Sequence, residues 1–290
     1  MAVIWELDFY SRPVLDENQK KRWEVLICES PTDVRDNVDQ VFRYSKFCAN
    51  TEVNSVWLKE AIEEAIAQAS QTPDCIRFFR RQMTNMIVKG CRDAGIDASA
   101  SRRTPVMYQW INQRMAEVYP TMPNYQLSSN PSVSYPDSIP QPLPDALEGE
   151  KWMLVSLDVA SFTEMSEWSI DFGEAFPLNL LQLPEKTAIP GLIIFSSRAQ
   201  PLAAWMSGLE LAFLKVIPSD GRATARLTLE TGASDAWIIA NLLSPELEKE
   251  GMAFEDAKTK AQNVHFLAVQ SEPNSDAFAG FWLMQELYLA

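Results

Sequence analysis

The stretch Cys75–Trp110, CIRFFRRQMTNMIVKGCRDAGIDASASRRTPVMYQW, restricts the fold more than any other part of the chain. Cys75–Phe79 is apolar and aromatic at strand length, and Gln82–Ala94 places Met83, Met86, Ile87, Cys91 and Ala94 on one helical face. Gly95 is the expected helix stop, and Ile96–Ser101 reads as a second strand. Thr104-Pro105 then signals the start of a helix carrying Val106, Met107, Trp110 and Ile111. Two strands joined through one helix of this length are most simply parallel neighbours, so an α/β (mixed α+β) fold is expected.

The same stretch concentrates positive charge. From Cys75 to Arg114 there are eight Lys or Arg against two acids, in a chain whose net charge is −14. The pairs Arg80-Arg81 and Arg102-Arg103 each follow a predicted strand. Both should therefore reach the carboxyl edge of the sheet, where open α/β sheets bind ligands. The N-termini of the following helices, at Gln82 and Pro105, would add N–H groups to an anion site. On this reading the four arginines are exposed charges awaiting phosphate. The plainer alternative has them in ion pairs with helix acids, and the stretch alone leaves both open.

The 290 residues and 47% hydrophobic content suit two packed cores. Residues 1–120 hold 16 basic and 17 acidic side chains, leaving 9 and 22 for the rest, so the acidity belongs to the second half. Seven of the 18 prolines fall in residues 119–150, which reads as an extended connector. The expected domains are 1–118, with the arginine edge, and 151–290, which is acidic.

Val3–Tyr10 and Arg22–Glu29 alternate as the strands of a hairpin, with Glu6, Asp8 and Glu24 on its polar face. Three carboxylates there raise a metal-dependent, ribonuclease-H-like nuclease as an alternative. A solvated hairpin face is the favoured reading, because Glu24-Val25-Leu26 lacks the lysine of a Glu-x-Lys signature. Val53–Ser70 is an amphipathic helix capped by Asn54 or Ser55. The lone histidine, His265, fits a core strand and excludes multi-histidine metal sites. No GxGxxG or GxxxxGK[ST] occurs, and the four dispersed cysteines suit reduced, buried thiols. No cofactor or metal is expected. Without a signal sequence or an apolar span the protein is expected to be cytoplasmic, with no membrane insertion.

Strings of the first half recur in the second. LDFYS at Leu7 is echoed by LDVAS at Leu157, WEVLICE at Trp23 by WSIDFGE at Trp168, and Pro73–Arg81 by Pro190–Arg198. Two similar domains from an internal duplication are expected, each with a mixed sheet made of a hairpin and a βαβ unit.

The strings WELDFYSRPVLDENQKKRWEVLICES, IRFFRRQM, SRRTPVMYQW, IPGLIIFSSRAQPLAAWMSGLELAFLKV and AGFWLMQE resemble the Tab/Atab family of cyanobacteria and chloroplasts nearly end to end. The resemblance implies a non-catalytic protein that binds the single-stranded, A/U-rich leader of a photosystem I messenger. It also implies a role in photosystem translation and assembly, with assembly or translation factors as further partners. The absence of a transit peptide suits a cyanobacterial chain. Arg80, Arg81, Gln82, Arg102, Arg103 and Arg198 fall in the characteristic strings, and with Tyr108 as a stacking ring they form the expected RNA-binding set. A protein scaffold for photosystem assembly is the remaining alternative.

Overall fold

The computed structural model describes residues 2–127, 139–221 and 223–289. Two compact units result, one of Met1–Pro31, Val38–Ser134 and Tyr288–Ala290, the other of Thr32–Asn37 and Tyr135–Leu287. Residues 128–138 of the expected connector lie outside the described residues.

The N-terminal unit runs β1 (Ile4–Leu15), β2 (Lys21–Glu29), β3 (Arg43–Cys48), α1 (Ser55–Gln68), β4 (Cys75–Phe78), α2 (Thr84–Asp93), β5 (Asp97–Ala100) and α3 (Pro105–Gln113). Its five-stranded sheet has the order β3-β2-β1-β4-β5. The first three strands form an antiparallel meander, whereas β4 and β5 lie parallel to β1 and to each other. Asn54 caps α1 by accepting from the N–H groups of Val56 and Trp57, each at 2.9 Å. The buried stripe Leu58, Ala61, Ile62 and Ala65 packs with α2 over Trp5, Leu7, Phe9, Ile76 and Phe78. Gly90 keeps the two helices close, since a Cβ there would meet the Leu58 side chain at 3.2 Å. Gly95, at φ +79°, ends α2 as its position predicts.

The C-terminal unit contains β6 (Gln141–Pro142), β7 (Lys151–Asp158), β8 (Ser169–Glu174), β9 (Ala188–Phe195), α4 (Ala199–Ser207), β10 (Leu211–Ile217), β11 (Ala225–Thr231), β12 (Asp235–Leu242), α5 (Pro245–Lys260), β13 (Val264–Gln270) and β14 (Ala277–Gln285). They form one sheet of order β10-β11-β12-β6 and another of order β7-β9-β13-β14-β8. His265 lies buried in β13, where its Nε2 accepts the Leu214 N–H at 2.8 Å and Nδ1 faces the Asn263 carbonyl at 2.9 Å. Nε2 must then be unprotonated and Nδ1 the donor, so the ring is a neutral structural link between β13 and β10.

The strand pairings correct the expectation of a duplication. β1 pairs with β2 antiparallel and with β4 parallel, whereas the corresponding strings in β7 and β8 lie on opposite edges of their sheet, and β7 pairs antiparallel with β9. Short alternating strings recur because strands share a period of two, not because these units share a strand order. What does recur is a local turn: the Arg103 N–H donates to Ser101 Oγ at 3.0 Å, and the Arg198 N–H donates to Ser196 Oγ at 3.1 Å, each between a strand and a helix. Arg198 is thus the local counterpart of Arg103 rather than of Arg81.

Candidate nucleic-acid interface

The alternation along β1 divides its side chains between two environments. Trp5, Leu7 and Phe9 enter the core beneath α1 and α2, while Glu6, Asp8 and Arg12 face the other way, toward α3 and the turns after it. Glu6 stands opposite Cys28, Asp8 opposite Leu26, and Tyr10 opposite Glu24 on β2, and Glu6 is level with Arg77 on β4. This face was expected to be solvated. Instead Glu6, Asp8, Arg12 and Glu24 are all fully buried, because α3 and the segment to Thr121 cover them.

Buried charge is tolerable only with close partners, and each carboxylate has its own. Arg80 Nε donates to Asp8 Oδ1 at 2.5 Å and Nη2 reaches Oδ2 at 3.3 Å, while Arg12 Nη2 lies 2.9 Å from Oδ2. Burial works to raise the Asp8 pKa, but Arg80 and Arg12 outweigh it and hold the carboxyl below its usual range. Glu24 accepts from Arg12 Nε at 3.2 Å, from the Tyr119 hydroxyl at 2.5 Å and from Arg114. A π-turn over Arg114–Val118 makes the last two possible, because its Tyr119 N–H to Arg114 carbonyl bond brings residues five apart onto one face. Glu6 accepts from Ser30 Oγ at 2.7 Å and from the Met107 N–H at 2.6 Å. Burial is the main influence on Glu6 and raises its pKa from 4.5 to about 7, against the lowering effect of those hydrogen bonds and Arg77.

The Met107 bond also corrects the expected anion site at Pro105. Thr104 occupies the N-cap position of α3 without a side-chain cap, and the carboxylate of Glu6 takes that place. The helix end is therefore occupied from within. Nor do the three hairpin acids array themselves for a cation, since each is turned to its own nitrogen or hydroxyl donors. Among the described residues no group of three His, Cys, Asp or Glu side chains could hold a metal ion.

The arginine pairs do leave adjacent strands at one edge: β4 and β5 are in parallel register from Cys75 opposite Asp97 to Phe78 opposite Ala100. Their exposure differs from expectation. Arg80 is 1% exposed, Arg102 7% and Arg103 6%, while Arg81 and Gln82 lie in solvent and Tyr108 is half-buried. Arg80 stacks over the half-buried Tyr10 ring with its guanidinium carbon 3.9 Å from the centroid. It is thus a fixed support tied to Asp8 rather than a mobile surface charge. Arg198 is exposed at the start of α4 in the other unit.

Arg12, Arg77, Arg114 and Tyr119 were not singled out from the sequence. The one local signal was Arg12 on the same alternating face as Glu6 and Asp8, a mixture of signs that suits an internal pair. Tyr119→Phe tests this network by removing one donor to a buried carboxylate. It is expected to destabilise the N-terminal unit by about 2 kcal/mol in urea denaturation. A loss below a few tenths would mean that Glu24 does not depend on that hydroxyl.

A family model described as the N-terminal domain of RNA-binding protein Tab2/Atab2 matches residues 4–114, and one described as its C-terminal domain matches residues 130–285. The chain is 37% identical over 290 residues to "Protein TAB2 homolog, chloroplastic" of Arabidopsis thaliana, covering 98% of this chain and 74% of that protein. It is 36% identical over 291 residues to the Zea mays protein of the same name, covering 98% and 71%. No solved structure matches the chain. Both relatives are named chloroplastic, a finding that overturns the cytoplasmic placement expected above. Among the described residues no helix is long and apolar enough to cross a membrane.

Proposed function

We propose that this chain, which belongs to the Tab2/Atab2 family of RNA-binding proteins, binds single-stranded RNA through the edge formed where β4 and β5 end, and does so without cleaving it. The observation that carries this reading is the register of β4 with β5, which brings Arg81 and Gln82 beside Arg102 and Arg103 at one sheet edge. Tyr108 on α3 adds a half-exposed ring on which a base can stack. Asp8 and Tyr10 hold Arg80 behind them, so the edge is ordered before ligand arrives, which lowers the cost of binding. The RNA is an A/U-rich messenger leader, and its recognition supports translation and assembly of the photosystems, together with assembly or translation factors.

Of the four arginines Arg81 is the exposed one, and a single phosphate contact there predicts a slope near −0.7 for log affinity against log salt. Arg81→Gln should weaken binding and reduce that slope by about 0.7 while leaving the fold intact, because its side chain is solvent-exposed. Tyr108→Ala should cost ~1–3 kcal/mol with the slope unchanged, since a lost stack releases no ions. Titrations of a labelled A/U-rich RNA, with magnesium present, read all three effects. Wild-type affinity in both variants would remove this edge, cleavage of the RNA would favour the nuclease, and no RNA binding at all would favour a protein scaffold.

A further inference from the structure

The β1–β2 hairpin carries a feature that the arginine edge does not use. A cleft of about 620 Å³ opens at its tip, lined by Val14, Arg22, Phe47, Met122, Pro123 and Asn124 and by the turn residue Asn18. That volume lies within the ~300–1,000 Å³ common for small-ligand sites.

Backbone bonds fix both walls. In the turn, the Asp16 carboxylate accepts the N–H groups of Asn18 and Lys20 at 2.8 and 2.9 Å, and the Asp16 N–H donates to the Lys20 carbonyl at 2.8 Å. On the opposite side the Leu15 N–H donates to the Asn124 carbonyl at 3.1 Å, and the Gln126 N–H to the Pro13 carbonyl at 3.0 Å. Between them the Arg22 guanidinium lies over the Phe47 ring, 4.4 Å from its centroid. A guanidinium plane backed by an aromatic ring is a platform for a flat ligand.

The chemistry of the lining narrows that ligand. Val14, Met122 and Pro123 give it apolar surface, the amides of Asn18 and Asn124 offer both donors and acceptors to its edge, and the lining carboxylates of Asp16 and Glu17 disfavour a phosphate. A planar, uncharged group with a polar edge is what remains, which describes a nucleobase. The cleft also lies in line with the arginine edge. Phe47 stands opposite Glu24 and Glu24 opposite Tyr10, the ring that carries Arg80, so one row of residues crosses from β4 to β3 over roughly 14 Å.

We propose that this cleft receives one unpaired base of the RNA held at the arginine edge, stacked on the Arg22–Phe47 pair and hydrogen-bonded by Asn18 and Asn124. The inference rests on the RNA-binding reading. Its test uses the full chain and labelled single-stranded A/U-rich RNA at several salt concentrations. Phe47→Ala and Asn124→Gly should each weaken binding roughly tenfold with an unchanged salt slope, and Phe47→Tyr should bind as wild type. Asn124 has φ +61°, which glycine adopts without strain, so that variant removes the amide while sparing the fold. If the wild type binds and Arg81→Gln weakens it, yet Phe47→Ala and Asn124→Gly bind as wild type, the base site is overturned and RNA binding stands. If the wild type binds no RNA, both readings fall.

Discussion

Asp8→Asn is expected to destabilise the N-terminal unit by about 3–5 kcal/mol, the usual cost of removing one partner from a buried ion pair. Asparagine fills nearly the same volume, so packing is not the cause. The Asp8 carboxylate faces two guanidinium groups, Arg12 and Arg80, whose side chains are 0% and 1% exposed. A neutral amide removes the negative charge that Arg80 and Arg12 share, leaving Arg12 to Glu24 and Arg80 without its buried carboxylate. Because the two units need not unfold together, amide hydrogen exchange across β1 and β4 is the appropriate readout. Removing all three charges, with Asp8→Leu, Arg12→Met and Arg80→Met, should recover much of the loss, since a buried ionic cluster often exchanges for apolar groups at little net cost. A single-variant effect below about 1 kcal/mol, the range typical of exposed ion pairs, would show that water reaches this site.

Glu6 should make the same unit less stable as pH rises from 4.5 toward 7. An unfolded chain releases this proton near 4.5, whereas the folded site retains it until about 7. Between those values the folded state binds the extra proton, so its contribution is fully present below 4.5 and is lost as pH rises through 7. A shift of this size corresponds to about 3 kcal/mol. Glu6→Gln mimics the protonated form: its carbonyl can still accept from Met107 and its amide can donate to Ser30 Oγ. Relative to wild type the variant should therefore gain about 3 kcal/mol between pH 4.5 and 7.5, read as the difference between the two stability profiles. Parallel profiles over that window would mean that Glu6 titrates like an exposed carboxyl and that α3 does not shield it.

Where the sequence was legible, the signals were local. The strand–helix–strand run from Cys75 to Ala100, the Asn54 cap, the glycine stop at Gly95 and the strand setting of His265 all depend on residues within a few positions of one another. The parallel pairing of β4 with β5 followed from the length of the helix between them. Two readings failed for related reasons. The duplication rested on short strings whose period every strand shares, and the solvated hairpin rested on alternation, which separates two faces without saying what covers either.

Local pattern was enough to give the α/β character of the N-terminal unit, the delivery of both arginine pairs to one sheet edge, and membership in a family through strings that span the chain. Which charges are available at that edge depends on long-range packing. Arg80 meets Asp8 from 72 residues away, Arg114 and Tyr119 meet Glu24 from 90 and 95, and Met107 meets Glu6 from 101. Periodicity relates residues that are close along the chain, whereas the burial of a charge is decided by partners that packing brings from far along it.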